Sequence, residues 1–182
     1  MTLQRYAAFL RGINVGGNNI IRMADVRAGL EAAGCTDVAT VLASGNVVFT
    51  SPDADVTSAR ERVERALEAA TGRRGAALVR TIEDVRRLVA RDPFGAVEVT
   101  PDTRLYVTFL SEPPVSRLRL PYRTPRGVTL LELTDTELFS VLVPAEGARS
   151  TDSMSLIEKD FGSGVTTRSW NTVLKIAAPD RR

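Results

Sequence analysis

Histidine is absent from this chain. Imidazole is the side chain whose unperturbed pKa lies near neutrality and is the usual general base, so its absence excludes serine and cysteine nucleophiles activated by histidine. Cysteine is almost absent too. With Cys35 alone there is no internal disulfide and no Cys/His cluster for zinc, and nothing speaks for an oxidising compartment. Lysine is reduced to Lys159 and Lys175, which leaves arginine to carry the positive charge. No apolar run approaches the roughly 20 residues of a membrane span. The opening segment 1–10 is a poor signal peptide because Arg5 interrupts it and no long apolar run follows. The expectation is a cytoplasmic protein with no membrane association, no metal and no cofactor.

What is present suffices for a core. A chain of 182 residues that is 43% hydrophobic folds as one compact domain or as two small halves packed together. The net charge of +2 and pI near 9.0 are mild, so nucleic acid would have to be gripped by a local patch.

Periodicity then orders the elements. Residues 6–10 form a short, nearly all-apolar run, as in a strand covered on both faces. Met23, Val26, Leu30 and Ala33 make a helical stripe, with Asp25 in the first turn and Gly34 at its end. Strands at 38–43 and 47–50 flank Ser44-Gly45-Asn46, residues that tolerate the positive φ of a tight hairpin. A second helix runs from an Asp55 N-cap through Val56, Ala59, Val63, Leu67 and Ala70 to Gly72. A strand at 76–80 follows, and Thr81 with Asp84 forms a capping box for a helix to Val89. The second half reads as a strand at 105–110, a loop through the arginine-rich 117–126 stretch, and a hairpin of 128–133 with 138–143. A short helix at 154–161, an extended piece at 164–167 and a final helix at 170–177 complete it. That last helix is expected to show Trp170, Val173, Leu174 and Ala177 on one face. The predicted class is α+β: a ferredoxin-like βαββαβ half, 1–81, packed with a second α+β half, 82–182, for which a ferredoxin-like arrangement is one option.

Two loops concentrate groups that bind anions. The first, Gly12-Ile13-Asn14-Val15-Gly16-Gly17-Asn18-Asn19, lies between a strand and a helix, with Arg11 and Arg22 on either side. Gly12 and Gly17 meet the spacing of a nucleotide-binding loop. Asn18 and Asn19 stand where its lysine and its serine or threonine belong, so triphosphate chemistry is not supported. The simpler account is that the glycines permit a tight turn. The second, 161–171, gathers Thr167, Arg168, Trp170 and Asn171 at a helix start, with Lys175 one turn on. Here the simpler account is that Thr167 or Ser169 caps the helix while Trp170 packs. Arg117, Arg119, Tyr122, Arg123 and Arg126 mix charge with an aromatic, which suits a solvated loop better than a single-stranded nucleic-acid surface. Cys35 reads as a packing residue.

Arg11-Gly12-Ile13-Asn14-Val15-Gly16-Gly17, Met23-Ala24-Asp25, Ser44-Gly45-Asn46-Val47-Val48-Phe49 and Thr166–Lys175 together resemble the bacterial family called domain of unknown function 1697. Asn18 and Ser169 stand where members of that family often carry lysine and asparagine. The resemblance implies paired ferredoxin-like subdomains and no assigned reaction.

The leading expectation is a binding protein for a phosphate-bearing or otherwise anionic small ligand. Arg11, Gly12, Asn14, Gly16, Gly17, Ser44, Asn46, Thr167, Arg168, Trp170, Asn171 and Lys175 are its candidate contacts. An acylphosphatase-like hydrolase is the rival, with Arg11 or Arg22 holding the phosphoryl group and Asn46 orienting water, an analogy of fold alone. A nucleic-acid module is the weakest reading, because 46–49 lacks spaced stacking aromatics. Both a monomer and a homodimer fit.

Overall fold

The structure is a computed structural model that describes residues 3–12, 21–42, 45–72, 74–115, 118–124, 127–143, 157, 161 and 164–179. The chain forms two compact units. One comprises Met1–Leu88 with Leu174–Arg182, the other Val89–Val173.

The first unit runs β1 (Gln4–Arg11), α1 (Met23–Ala32), β2 (Thr36–Thr40), β3 (Asn46–Ser51), α2 (Val56–Thr71) and β4 (Ala76–Thr81), which is the expected βαββαβ order. Its strands make an antiparallel sheet in the order β2-β3-β1-β4. Tyr6, Ala7, Ala8 and Phe9 of the interior strand β1 are each 0% exposed, so both faces of β1 are buried and its apolar run needs no alternation. Tyr6, Ala8 and Leu10 share one face with Val47, Phe49 and Val79, and pack in one cluster with Val26 and Leu30 of α1 and Ala59, Val63 and Leu67 of α2. Tyr6 lies opposite Phe49, and the rings stack at 5.7 Å between centroids.

Local chemistry sets the helix ends. Asp55 accepts the Ser58 amide at 2.9 Å, and Gly72 closes α2 in a left-handed conformation. Where the two helices approach, a Cβ on Gly29 would lie 3.0 Å from the Ala66 carbonyl oxygen and 3.3 Å from the Ala70 methyl. A polar knot ties the same helices together. Arg62 donates to both carboxylate oxygens of Asp53 at 2.6 and 2.9 Å and to the Ala33 carbonyl oxygen at the end of α1 at 2.5 Å. Ser51 donates to Asp53 at 2.6 Å, and the Tyr6 hydroxyl to the Asp53 carbonyl oxygen at 2.8 Å. The hydrogen bond from Arg62 holds the Asp53 carboxyl below its ordinary range, against an opposing push from burial. Cys35 is 4% exposed and burial pushes its thiol up, so the packing role expected of it is what its surroundings support.

The second unit contains β5 (Arg104–Leu110), β6 (Tyr122–Arg123), β7 (Val128–Leu133), β8 (Glu137–Leu142) and β9 (Val165–Ser169) in an antiparallel sheet ordered β6-β7-β8-β5-β9. Two further helices, α3 (Ile82–Ala90) and α4 (Trp170–Ala177), cross the division between units. One half of the expected capping box of α3 is present, with the Asp84 amide donating to Thr81 Oγ1 at 3.0 Å, and the Thr81 hydroxyl donates to the Asp84 carboxylate at 2.6 Å.

Three features differ from expectation. Part of the 117–126 stretch is a strand, because Tyr122 and Arg123 pair with Leu130 and Thr129 of β7. The described elements from β5 to β8 are strands without an intervening helix, so the second half does not repeat the βαββαβ order among the described residues. On α4 the buried residues are Thr172, Val173, Ile176 and Ala177, while Leu174 is 39% exposed. Ile176 and Thr172 are buried in place of Leu174, on a helix that begins directly where β9 ends. Of the expected helix at 154–161, only residues 157 and 161 are described, and both are helical.

Two outcomes follow for the first unit. Gly29→Leu drives a side chain into the Ala66 backbone and lowers stability by about 2–3 kcal/mol in urea unfolding, despite leucine's better helix propensity. Asp53→Asn removes one partner of a largely buried ion pair and costs about 2–3 kcal/mol at pH 7. Because the folded pKa of Asp53 is depressed, the stability it adds is present above the unfolded value of about 3.9 and is lost as pH falls through the folded value. The gap between wild type and Asp53→Asn therefore narrows in urea midpoints measured below about pH 4.

Candidate functional site

The first predicted loop is described only at its edges. Arg11 ends β1 opposite Ala76, and Gly12 takes φ +61, the left-handed turn that glycine accommodates without strain. Asn14, Gly16, Gly17 and Ser44 lie outside the described residues. Arg22 gives its fork to Asp25, with bonds of 2.9 and 3.0 Å on the surface of α1. Asn46 is 0% exposed, and its Nδ2 donates to the Val41 carbonyl oxygen at 3.0 Å. Its backbone carbonyl accepts from Val41, and Gly45 beside it has φ +76. Asn46 thus closes the β2–β3 hairpin from within and presents no surface from which to orient a water.

The second cluster is laid out by β9. Successive side chains alternate across the sheet, which puts Thr167 and Ser169 on one face and Arg168 on the other. The Thr167 hydroxyl bonds that of Thr108 at 2.6 Å. Arg168 donates to the Thr166 hydroxyl at 2.7 Å and to the Thr167 carbonyl oxygen at 2.8 Å, and burial pulls its pKa down to about 10. Ser169 caps α4, accepting the Thr172 amide at 3.3 Å with its hydroxyl 2.9 Å from that of Thr172. Asn171 and Lys175 are exposed one helical turn apart.

Trp170 and Asn171 line a cleft of about 270 Å³ within the second unit, together with Val99, Arg104, Leu105 and Tyr106. Three pieces of backbone build it. The antiparallel register sets Tyr106 opposite Ser169, the last pair of the β5–β9 ladder, so Trp170 emerges beside the start of β5. A turn at 100–103 leads into β5, closed by the Thr103 amide on the Thr100 carbonyl oxygen at 3.0 Å and by the Thr100 amide on Thr103 Oγ1 at 2.9 Å. Arg104 braces that turn, its Nη1 donating to the carbonyl oxygens of Pro101 at 2.6 Å and Thr103 at 3.1 Å.

The Trp170 ring is held from the core side. Phe94 meets it edge-on at 5.2 Å between centroids, Phe139 meets Phe94 edge-on at 5.8 Å, and the Arg91 guanidinium sits 4.9 Å over Phe139. Glu132 accepts from Arg91 at 2.8 Å. In contrast, Nε and Nη2 of Arg104, the Tyr106 hydroxyl, Trp170 Nε1 and the Asn171 amide make no hydrogen bond among the described residues.

The sequence profile described as "Protein of unknown function (DUF1697)" matches residues 3–139. The chain belongs to the DUF1697 family. Its fold is also similar to "The structure of conserved bacterial protein SP0830 from Streptococcus pneumoniae", with a TM-score of 0.66 over 97% of this chain and 98% of that one at 22% identity. No curated protein matches the sequence at a significant level.

In this DUF1697 protein, Arg104, Leu105 and Tyr106 fall inside the matched span, whereas Trp170 and Asn171 lie beyond it. Sequence reasoning selected Trp170 and Asn171 but passed over Arg104 and Tyr106, which look like any strand opening. The available signal was Pro101 beside Thr103, a turn that delivers the next side chain to the rim. None of the described residues lining the cleft is acidic, and the chain has no histidine, so what those residues supply is donors and apolar walls. If Asn46 is a structural clasp, Asn46→Ala lowers stability by about 1–3 kcal/mol by leaving the Val41 carbonyl unsatisfied. Thermal unfolding with and without ligand then shows an altered midpoint and an unaltered ligand-induced shift.

Proposed function

We propose that this protein binds a small anionic ligand, phosphate-bearing or carboxylate, in the cleft between the start of β5 and the start of α4. The observation that carries this reading is a cleft whose described lining residues include unengaged donors and no carboxylate. Arg104 is the anchor. Its exposed guanidinium donates to two carbonyls through one nitrogen, which leaves its remaining N–H groups for an oxyanion. Asn171 and the indole N–H of Trp170 add neutral donors, and Leu105 and Val99 supply apolar wall, the usual composition of a small-molecule site.

The hydrolase alternative gains nothing from the fold, since Arg22 is paired and Asn46 is enclosed. Arg11 and its loop remain a separate candidate for the same class of ligand. Thermal-shift measurements across nucleotides, phosphorylated metabolites and small carboxylates test the proposal. The expected result is that at least one anion raises the midpoint of the wild type and of Arg11→Ala but not of Arg104→Ala, with the latter's affinity lowered by about tenfold or more. A ligand response lost in Arg11→Ala and kept in Arg104→Ala removes the cleft as the site.

A further inference from the structure

Resting on that reading, we infer that the ligand is a flat aromatic anion: a single heteroaromatic or aryl ring bearing a carboxylate or phosphate, seated with its ring against Trp170 and its charge on Arg104.

The argument begins with what the cleft lacks. A bare inorganic anion is held best by small hydroxyls and backbone amides that surround it. The two small hydroxyls lining this cleft are already engaged, Thr103 with Thr100 and Ser169 with Thr172. The rest of the lining is Trp170, Tyr106, Val99, Leu105, Asn171 and Arg104, with Tyr106 also packed against the Val128, Leu130 and Leu138 cluster. That lining suits a ligand with more apolar surface than charge.

The tryptophan is also pre-set. Edge-on contact with Phe94, itself 4% exposed and packed on the fully buried Phe139, restrains the Trp170 ring. Yet Trp170 itself stays only partly buried at the cleft wall. A ring whose orientation is restrained loses little entropy when a second ring stacks on it, and stacking recovers the apolar contact that partial exposure forgoes. Size narrows the class further. A volume of about 270 Å³ lies at the small end for ligand sites, enough for one ring system and its acidic group.

The chain has a single tryptophan, so its emission reports on this cleft alone. Fluorescence titration and calorimetry on the full chain compare nicotinate and uridine 5′-monophosphate with acetate, inorganic phosphate and ribose 5-phosphate. Uridine and nicotinamide serve as neutral ring controls. The expected result is quenching by a ring-bearing anion, with affinity about tenfold or more above its ring-free counterpart. Preference for nicotinate over the nucleotide, or the reverse, identifies the acidic group as carboxylate or phosphate.

In calorimetry, Trp170→Leu removes the advantage of the ring and Trp170→Phe keeps part of it, with circular dichroism confirming that both fold. Equal affinities for ring-bearing and ring-free anions overturn this inference and leave anion binding standing. Equal affinities for charged and neutral rings overturn the anion reading and leave stacking. No heat and no quenching from any compound at millimolar concentration overturns both.

Discussion

The antiparallel pairing of β5 with β9 is the constraint on which the cleft depends. Five cross-strand pairs run from Leu110 opposite Val165 to Tyr106 opposite Ser169, and a one-residue slip would exchange the two faces of β9. In the native register Thr167 meets Thr108, Arg168 lies on the opposite face, and Ser169 is free to cap the helix that follows. Capping in turn fixes where α4 begins. Trp170 therefore enters the helix at the end of the ladder, beside Arg104 and Tyr106 on the neighbouring strand, without any long loop to blur its position.

Much of the architecture was legible because local signals and burial agree. The run at 6–10 lacks alternation since β1 is buried on both faces, and Asp55, Gly72 and the Thr81/Asp84 pair mark helix ends through bonds that the structure contains. The short strand β6 was not legible, since two residues give no periodicity and only the partner strand β7 creates it. On α4 the expected stripe holds at Val173 and Ala177, but Ile176 is buried beside them and Leu174 is not.

The candidate site divides in the same way. A tryptophan and an asparagine at a helix start stand out by type, and both line the cleft. An arginine and a tyrosine at the head of a strand do not stand out, because their significance arises from the turn before them and the strand beside them. Asn46 shows the converse. Its chemistry attracted a functional reading, whereas its position inside a hairpin directs that chemistry to the backbone. Residue type proposes a role, and register decides whether the side chain is available to perform it.

The division of the chain within α4 has a practical consequence for anyone dissecting the molecule. The first unit is discontinuous: it takes residues Leu174–Arg182 from the far end of the sequence, and Arg86 on α3 donates to the carbonyl oxygen of Ala177 at 3.2 Å. A fragment stopped at residue 88 would carry the complete four-stranded sheet but leave that arginine without its acceptor, and without the buried Ile176 and Ala177. Fusion junctions are better kept out of the last helix, whose final turn belongs to the first unit.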